Sequence, residues 1–495
     1  MSTTITARVR ADLATPYREL FLLAVTALAE GTDQYHEPDE RFIGLVRKLA
    51  LSDDGWLVQF LAWLRGFDEL ASAAVVGSAE MVRTRLANGL TTSGGSRKVI
   101  DSALERADEP GLMLAYWFRR YGRTVPKPIR HGLADAATRL YDEAALAEYD
   151  RPGADARFSD VISLVHPKAG SREQQELFQY ALARRWASAT EIPAGMTMMR
   201  ARAALYGLSI AQRRELLDSP ETTELFGAAG MTAGLLPGWL SGQAPDARAW
   251  SALLPRISYR ERLARLRELD AAGLSDQEVL ADPARVAEER IGPLAVQAAR
   301  REVTAPGWDG PLESAADAAL ALVPALGGRT LILVDRSASM FTQIARGSAA
   351  TVADQAAVFG ACLALRSADA TLVQFGTGHR SLKFSPGQNL NELLGRFEEM
   401  GDGNAAAAVR AFFGRHDRVV LVTDEPHGSA WQGEHPAAAV PAGVPVYIWN
   451  VAGAPQPGAP GRGADQGRYV FTGLSDAAFA VIPLIEAARR DIWPF

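Results

Sequence analysis

The stretch TLILVDRSASM, residues 330–340, joins a short apolar run to a polar loop. The run from Thr330 to Val334 is rich in β-branched residues and predicts a buried β-strand. A carboxylate, Asp335, follows at once, and the hydroxyls of Ser337 and Ser339 come next. Ligands of open α/β sheets bind outside the carboxyl ends of the strands, at the switch point of the sheet. This Asp-x-Ser-x-Ser sequence therefore predicts a polar site where the strand ends.

Further strands and helices alternate after this stretch. Apolar runs at 371–375, 419–422 and 444–449 predict three more strands, and the segments 354–366 and 389–399 have helical patterns. Strands that alternate with helices indicate a mostly parallel sheet covered on both faces. The last third of the chain is thus predicted to be a doubly wound α/β domain.

Two hydroxyls and two carboxylates could form a divalent-cation site in this domain. Asp424 follows the strand predicted over 419–423 and would join Asp335, Ser337 and Ser339. Mg²⁺ prefers hard oxygen ligands and keeps several waters, so few protein groups suffice to bind it. The predicted cofactor is therefore Mg²⁺ or another divalent cation. The alternative is that Asp335 caps a turn and the serines are ordinary loop residues.

The region from about residue 12 to 300 has helical periodicity and no convincing strand. Phe42, Val46 and Leu49 recur at helical spacing, and Trp56 and Phe60 continue the stripe one helix later. Turn signals divide the region into many helices of ordinary length. The pattern predicts an all-helical solenoid of HEAT-like type, although no clean sequence period is visible.

Composition narrows the class of protein further. The 495 residues are 48% hydrophobic and 22% charged, which is typical of a multidomain globular protein. No apolar stretch is long enough to predict a membrane helix and the first ten residues lack a signal sequence, so we expect a cytoplasmic protein without a membrane partner. A single cysteine, Cys362, excludes a disulfide framework. Phosphate-loop, zinc-protease and nucleophile-elbow motifs are absent, so we expect no enzyme.

The helical region contains a basic segment that could bind RNA. No acidic residue interrupts residues 117–131, and aromatic Tyr121 lies within the cluster. Arginine and aromatic side chains suit single-stranded RNA, whereas a solvated helix end is the alternative interpretation. A second small basic group closes the helix that ends near residue 165. The candidate RNA-binding residues of the two groups are Arg119, Arg120, Arg123, Lys127, Arg130, His131, His166 and Lys168.

An all-helical repeat region followed by an Asp-x-Ser-x-Ser domain resembles the Ro autoantigen family, which combines a TROVE module with a von Willebrand factor A domain. The order of the matches along the chain is more specific than any one of them. The matching stretches are 127–134, 160–168, 263–269, 291–294, 334–340 and 422–424. The predicted domains are a TROVE domain over 1–305, a connecting segment over 306–328 and an A domain over 329–495.

This resemblance implies a ring of helical repeats closed by an A domain with a metal-ion-dependent adhesion site. Asn404 stands in the glycine-rich loop where A domains usually carry a Thr ligand. The family implies binding of small noncoding Y-type RNA and of single-stranded RNA 3′ ends, with His166 as the best candidate for an RNA contact. Glu148 and Asp150 stand where family members carry basic residues, and we expect both to repel phosphate.

Two functions follow as expectations. The first is an RNA-binding ring protein of the Ro type in RNA quality control or degradation, acting with an exoribonuclease such as polynucleotide phosphorylase. The alternative is a metal-dependent protein-interaction scaffold that does not bind RNA.

Overall fold

The structure, a computed structural model, describes residues 2–31, 38–186, 191–424, 435–451 and 467–495. The chain divides into two compact units. Unit 1 comprises Met1–Leu20, Gln34–Ile257 and Phe495, and unit 2 comprises Phe21–Asp33 and Ser258–Pro494. The main division therefore lies at residue 257, within the predicted TROVE segment. The domain limits 1–305, 306–328 and 329–495 stay a prediction.

Unit 1 is helical. Its helices are α1 (Ser2–Glu30, whose last part belongs to unit 2), α2 (Glu40–Ser52), α3 (Asp54–Leu64), α4 (Ala71–Ala87), α5 (Ser96–Ser102), α6 (Glu109–Tyr121), α7 (Lys127–Leu140), α8 (Glu143–Tyr149), α9 (Phe158–Val165), α10 (Arg172–Trp186), α11 (Thr197–Gly207), α12 (Ile210–Leu216), α13 (Thr222–Ala228), α14 (Leu236–Trp239) and α15 (Ala247–Leu253). Asp39 caps α2 by accepting the Phe42 N–H, which satisfies a donor that the first helical turn leaves free.

Neighbouring helices of unit 1 pack on one another along the chain. Helix α4 contacts α2, α3, α5 and α6, while α7 lies against both α5 and α9. One continuous apolar core joins α2 to α10. It includes Ile129 and Leu133 on the inner side of α7. The apolar stripe predicted for α2 is correct, because Phe42, Val46 and Leu49 are all buried.

Unit 2 carries further helices and the only sheet of the described residues. The helices before the sheet are α16 (Tyr259–Ala264), α17 (Leu266–Ala271), α18 (Asp276–Val279), α19 (Ala284–Glu288), α20 (Pro293–Arg301) and α21 (Asp309–Leu322). The α/β part contains β1 (Leu326–Asp335), α22 (Val352–Leu365), β2 (Ser367–Phe375), β3 (His379–Leu382), α23 (Leu390–Leu394), α24 (Ala405–Phe412), β4 (Arg418–Thr423), β5 (Val446–Asn450), β6 (Arg468–Thr472) and α25 (Val481–Ala488).

The six strands form one sheet in the order β3-β2-β1-β4-β5-β6. All neighbours are parallel except β2 and β3. The strand order reverses at β1, where Val334 is paired with Gln374 on one side and with Val422 on the other. The switch point of the sheet therefore lies at the carboxyl ends of β1 and β4, which is where a doubly wound sheet binds ligands.

The predicted fold class is confirmed, since an all-helical region precedes a doubly wound α/β domain. Two strands, β3 and β6, were not predicted, and the helix predicted over 389–399 is limited to Leu390–Leu394. Among the described residues, no helix combines the length and the apolar character needed to cross a bilayer.

Candidate functional site

Asp335 is the last residue of β1, and its carboxylate is buried at the switch point. Its Oδ1 accepts the Ser337 N–H at 2.8 Å, and its Oδ2 accepts the Thr423 hydroxyl at 2.6 Å. Burial raises the pKa of Asp335, the two hydrogen bonds oppose that rise, and the nearby Asp424 carboxylate adds to it. A buried carboxylate with a raised pKa is an anion that a bound cation would stabilise.

The two serines lie in the turn that follows. Ser337 is buried and Ser339 is exposed, and their Oγ atoms are 3.2 Å apart. Between them and Asp335, the Arg336 N–H donates to the Phe375 carbonyl at 2.8 Å and fixes the start of the loop on β2. Asp424 follows β4 directly and is partly buried. The structure therefore brings Asp335, Ser337 and Ser339 together, with the Asp424 carboxylate near enough to act on Asp335.

Asn404 has a different role in the described contacts. It is the N-cap of α24, and its side-chain Oδ1 accepts the Ala407 N–H at 2.9 Å. The loop before it is held at the same end of the sheet, because Met400 donates its N–H to the Arg336 carbonyl at 2.9 Å. Gly376 permits this approach, since a Cβ there would lie 2.5 Å from Met400. Asn404 itself is exposed and makes no described contact with the other four residues.

The donor set suits a small hard cation. Carboxylates and hydroxyls are oxygen ligands, and Mg²⁺ completes its coordination with water. No group of three or more His, Cys, Asp or Glu side chains in the described ranges could hold a metal, so such a site depends on the serine hydroxyls. Asp335 also caps its turn, as the alternative interpretation requires. A turn cap needs neither the hydrogen bond from Thr423 nor the nearby Asp424 carboxylate. The metal site stays a prediction.

Sequence reasoning assigned no role to Thr423 or to the Arg336 side chain. Thr423 reaches Asp335 because β1 and β4 are adjacent and parallel, a pairing that the sequence does not reveal. Arg336 occupies the variable position of the Asp-x-Ser-x-Ser pattern, yet its side chain is 5% exposed. A charged residue directly after a strongly apolar strand is the sequence signal that could have indicated a buried role for Arg336.

Replacing Asn404 by Ala should lower the free energy of unfolding by about 1 kcal/mol, because the helix loses its N-cap. Since the amide contacts none of the other candidate ligands, we expect the melting-temperature shift produced by Mg²⁺ to remain. Thermal melts of both proteins with and without Mg²⁺ measure the two effects separately. Loss of the Mg²⁺ shift in Asn404→Ala would instead identify Asn404 as a ligand.

The second candidate site lies where α7 begins and α9 ends. The Arg130 Nη2 donates to the Leu164 carbonyl at 2.9 Å, and the Thr138 hydroxyl donates to the Lys168 carbonyl at 3.1 Å. These bonds hold residues 164–168 against α7. His166 is the C-cap of α9, and its left-handed backbone, with φ at 49°, turns the chain there. We call the set Lys127, Arg130, His131, His166 and Lys168 the basic face.

The eight candidate RNA-binding residues differ in how their charges are balanced. In the part of the chain that the structure describes, no carboxylate forms an ion pair with any member of the basic face. By contrast, Arg119 pairs with Asp155 at 3.1 Å, and Arg120 pairs with Glu40. Arg123 is exposed and lies 5.4 Å above the Phe118 ring. Within the described residues, the basic face and Arg123 are thus the parts of the predicted surface whose charge no carboxylate pairs with.

The expected repulsion of phosphate by two acidic residues is wrong for Asp150. Its side chain is buried, and both its oxygens accept from the Arg157 guanidinium, at 3.1 and 2.6 Å. Asp150 also accepts the Phe158 N–H at 3.1 Å, which fixes the start of α9. Its charge is therefore compensated inside the protein. Glu148 is exposed and remains the acidic group that could oppose RNA.

No sequence-family model matches the chain, and no curated protein matches it. Among solved structures, the chain is similar to the Ro (RSR) protein of Deinococcus radiodurans, with a TM-score of 0.66 at 17% identity. The match covers 90% of this chain and 93% of that chain. The resemblance drawn from the sequence is thereby confirmed at the level of the fold: the chain has the fold of a Ro protein.

Proposed function

We propose that this is an RNA-binding protein of the Ro type, which binds small noncoding RNA and single-stranded RNA 3′ ends in cytoplasmic RNA quality control or degradation. The observation that carries the proposal is the basic face on the helical unit of a Ro fold. An exoribonuclease such as polynucleotide phosphorylase is its proposed protein partner.

The chemistry of the basic face supports binding through phosphates. Lys127, His131, His166 and Lys168 are exposed cationic or ring-nitrogen side chains on segments that hydrogen bonds hold together. Uncompensated Lys and Arg bind nucleic acid by displacing counterions from its phosphates. A histidine ring can also stack on an unpaired base. Because Arg157 neutralises Asp150, Glu148 is the one of these two acidic residues that opposes a folded Y-like RNA, so such an RNA stays within the proposal.

A second function is favoured by the buried carboxylate at the switch point. A cation held by Asp335, Ser337 and Ser339 would keep coordination positions for an outside ligand, and a carboxylate from an acidic partner could fill one. The protein would then be a metal-dependent interaction scaffold without RNA.

Purification of the tagged protein from its own cells distinguishes the two functions. Under the first, ultraviolet crosslinking followed by sequencing should recover defined small RNAs and RNA 3′ ends. A variant with Lys127→Gln and Arg130→Gln should recover far fewer. Protein that carries no crosslinked RNA above that variant would contradict the first function, and partner capture that requires Mg²⁺ would then support the second.

A further inference from the structure

Unit 2 contains a cavity of about 330 Å³ beside the loop that follows β1. It is lined by residues of α20, α22 and the segment around α23, all within this unit. We call it the arginine cavity, because Arg300, Arg301 and Arg336 line it. The single carboxylate in its lining is Asp354.

Arg336 is a buried cation whose described hydrogen bonds go to carbonyl groups. Its Nε donates to the Glu398 carbonyl at 3.2 Å, and its Nη1 donates to the Ala353 carbonyl at 2.6 Å. The guanidinium lies 4.7 Å from the centre of the Phe341 ring. Among the described residues, no carboxylate lies within ion-pair distance of it, although Asp354 in the same lining acts on it electrostatically from further away. Burying a charge without a counter-ion costs free energy, which a bound anion would recover.

The other two arginines leave part of the positive charge unbalanced. Arg301 pairs with Asp354 at 2.6 Å. Arg300 uses its Nη2 to pair with Asp309 at 2.7 Å, whereas its Nη1 is buried and has no hydrogen-bond partner within the described ranges. A buried donor without an acceptor is rare in native proteins and indicates a missing partner. The cavity thus contains one buried donor without an acceptor, on Arg300, beside the buried positive charge of Arg336.

The volume and the rest of the lining leave room for a molecule larger than an inorganic ion. Leu294, Val358 and Leu394 form apolar walls, and the amide of Gln297 donates to Asn391 at 2.8 Å. A volume near 300 Å³ is at the lower end of small-molecule sites, which combine apolar walls with a few polar groups. Because Arg300 pairs with Asp309 and Arg301 with Asp354, the charge left over is that of the buried Arg336, which an anionic group such as a phosphoryl would offset.

We propose that the arginine cavity binds a small organic phosphate, with its phosphoryl group on Arg300 and Arg336 and its body against the apolar walls. Guanidinium groups bind phosphate oxygens through charge-assisted hydrogen bonds, which are stronger than neutral ones. The proposal is independent of RNA binding at the basic face, which lies on unit 1.

Isothermal titration calorimetry of the full chain with ribose 5-phosphate tests this site, with ribose, inorganic phosphate and acetate as comparisons at one ionic strength. We expect saturable binding of ribose 5-phosphate, weaker binding of inorganic phosphate and none of ribose. Arg300→Gln should raise the Kd about fivefold. This variant should fold, because the Arg300 side chain is 30% exposed and its partner Asp309 is at the surface.

Arg329→Gln is the matched control, since Arg329 is an exposed arginine paired with Asp369 near the opposite end of β1. It should bind as the wild type does, and Arg336→Met should bind ribose 5-phosphate at least as poorly as Arg300→Gln. Absence of saturable binding to the wild type would overturn the proposal. So would equal weakening by Arg300→Gln and Arg329→Gln, or tighter binding of acetate than of either phosphate.

Discussion

Replacement of Asp335 by Asn should abolish the stabilisation that Mg²⁺ gives to the wild-type protein. That stabilisation is about 2.7 kcal/mol when the free cation concentration is about 100 times the Kd. For a unit of this size it corresponds to a melting-temperature shift of roughly 5 to 11 °C. The asparagine keeps the shape of the side chain but lacks the charge that a cation requires.

The same variant should fold without the cation. Its amide oxygen can accept the Ser337 N–H, and its NH₂ group can donate to Thr423, whose hydroxyl is both donor and acceptor. Burial raises the pKa of Asp335, so keeping this group ionised lowers the stability of the native state. We therefore expect Asp335→Asn to melt at or above the wild-type temperature when no divalent cation is present.

Differential scanning calorimetry with chelator, Mg²⁺ or Mn²⁺ measures both effects. Asp369→Asn is the control, because it removes one exposed carboxylate from the other end of the sheet. It should leave the cation-dependent shift unchanged. A wild-type protein whose melting is indifferent to both cations would show that Asp335 only caps its turn.

Removing two charges from the basic face, by Lys127→Gln and Arg130→Gln, should weaken binding of single-stranded RNA about tenfold at roughly 0.15 M salt. Each neutralised phosphate contributes about −0.7 to the log–log dependence of affinity on salt, so the slope should become shallower by roughly 1.4. The loss should be similar for different RNA sequences, because phosphate contacts position a strand without reading its bases.

Filter binding at several salt concentrations provides the slopes. The matched control is Arg172→Gln with Arg248→Gln, which removes the same charge from exposed residues of unit 1 that already pair with Glu176 and Asp246. Since Arg130 also bonds to the Leu164 carbonyl, a thermal melt must show that the test variant is folded. Equal slopes for the test and control variants would remove the basic face from the proposed function.

Much of the α/β domain could be predicted because its inner strands are continuous apolar runs. The strands that escaped prediction lie at the two edges of the sheet. In β3, the first three residues are exposed, and the apolar run of β6, Tyr469–Phe471, is only three residues long, so neither strand has the long apolar run of the inner strands. The predicted helix at 389–399 ends early, at a C-cap formed by Gly395.

In the candidate sites, sequence reasoning found features set by neighbouring residues and missed those set by residues far apart in the chain. The spacing of Asp335, Ser337 and Ser339 is local, and sequence reasoning found it. The Thr423 hydroxyl depends on a strand pairing 88 residues away, and no local pattern records that pairing. Asp150 looked like a surface acid because burial is a property of the tertiary structure. The Arg157 that neutralises it is only seven residues further on.

Unit 2 is built from two segments that lie far apart in the chain, and this affects how it folds during synthesis. The Thr472 hydroxyl donates to Glu30, 442 residues away, and Phe21 packs on the ring of Trp493. The apolar face of α1 contains Phe21, Val25 and Leu28. When the ribosome adds roughly 5–20 residues per second, the partners of this face are synthesised about 20 to 90 s after it. Until then it is exposed apolar surface, which favours aggregation or capture by a chaperone. A fragment cut at residue 258 would lack this piece of its own unit, so dissection of the protein should rely on point substitutions in the full chain.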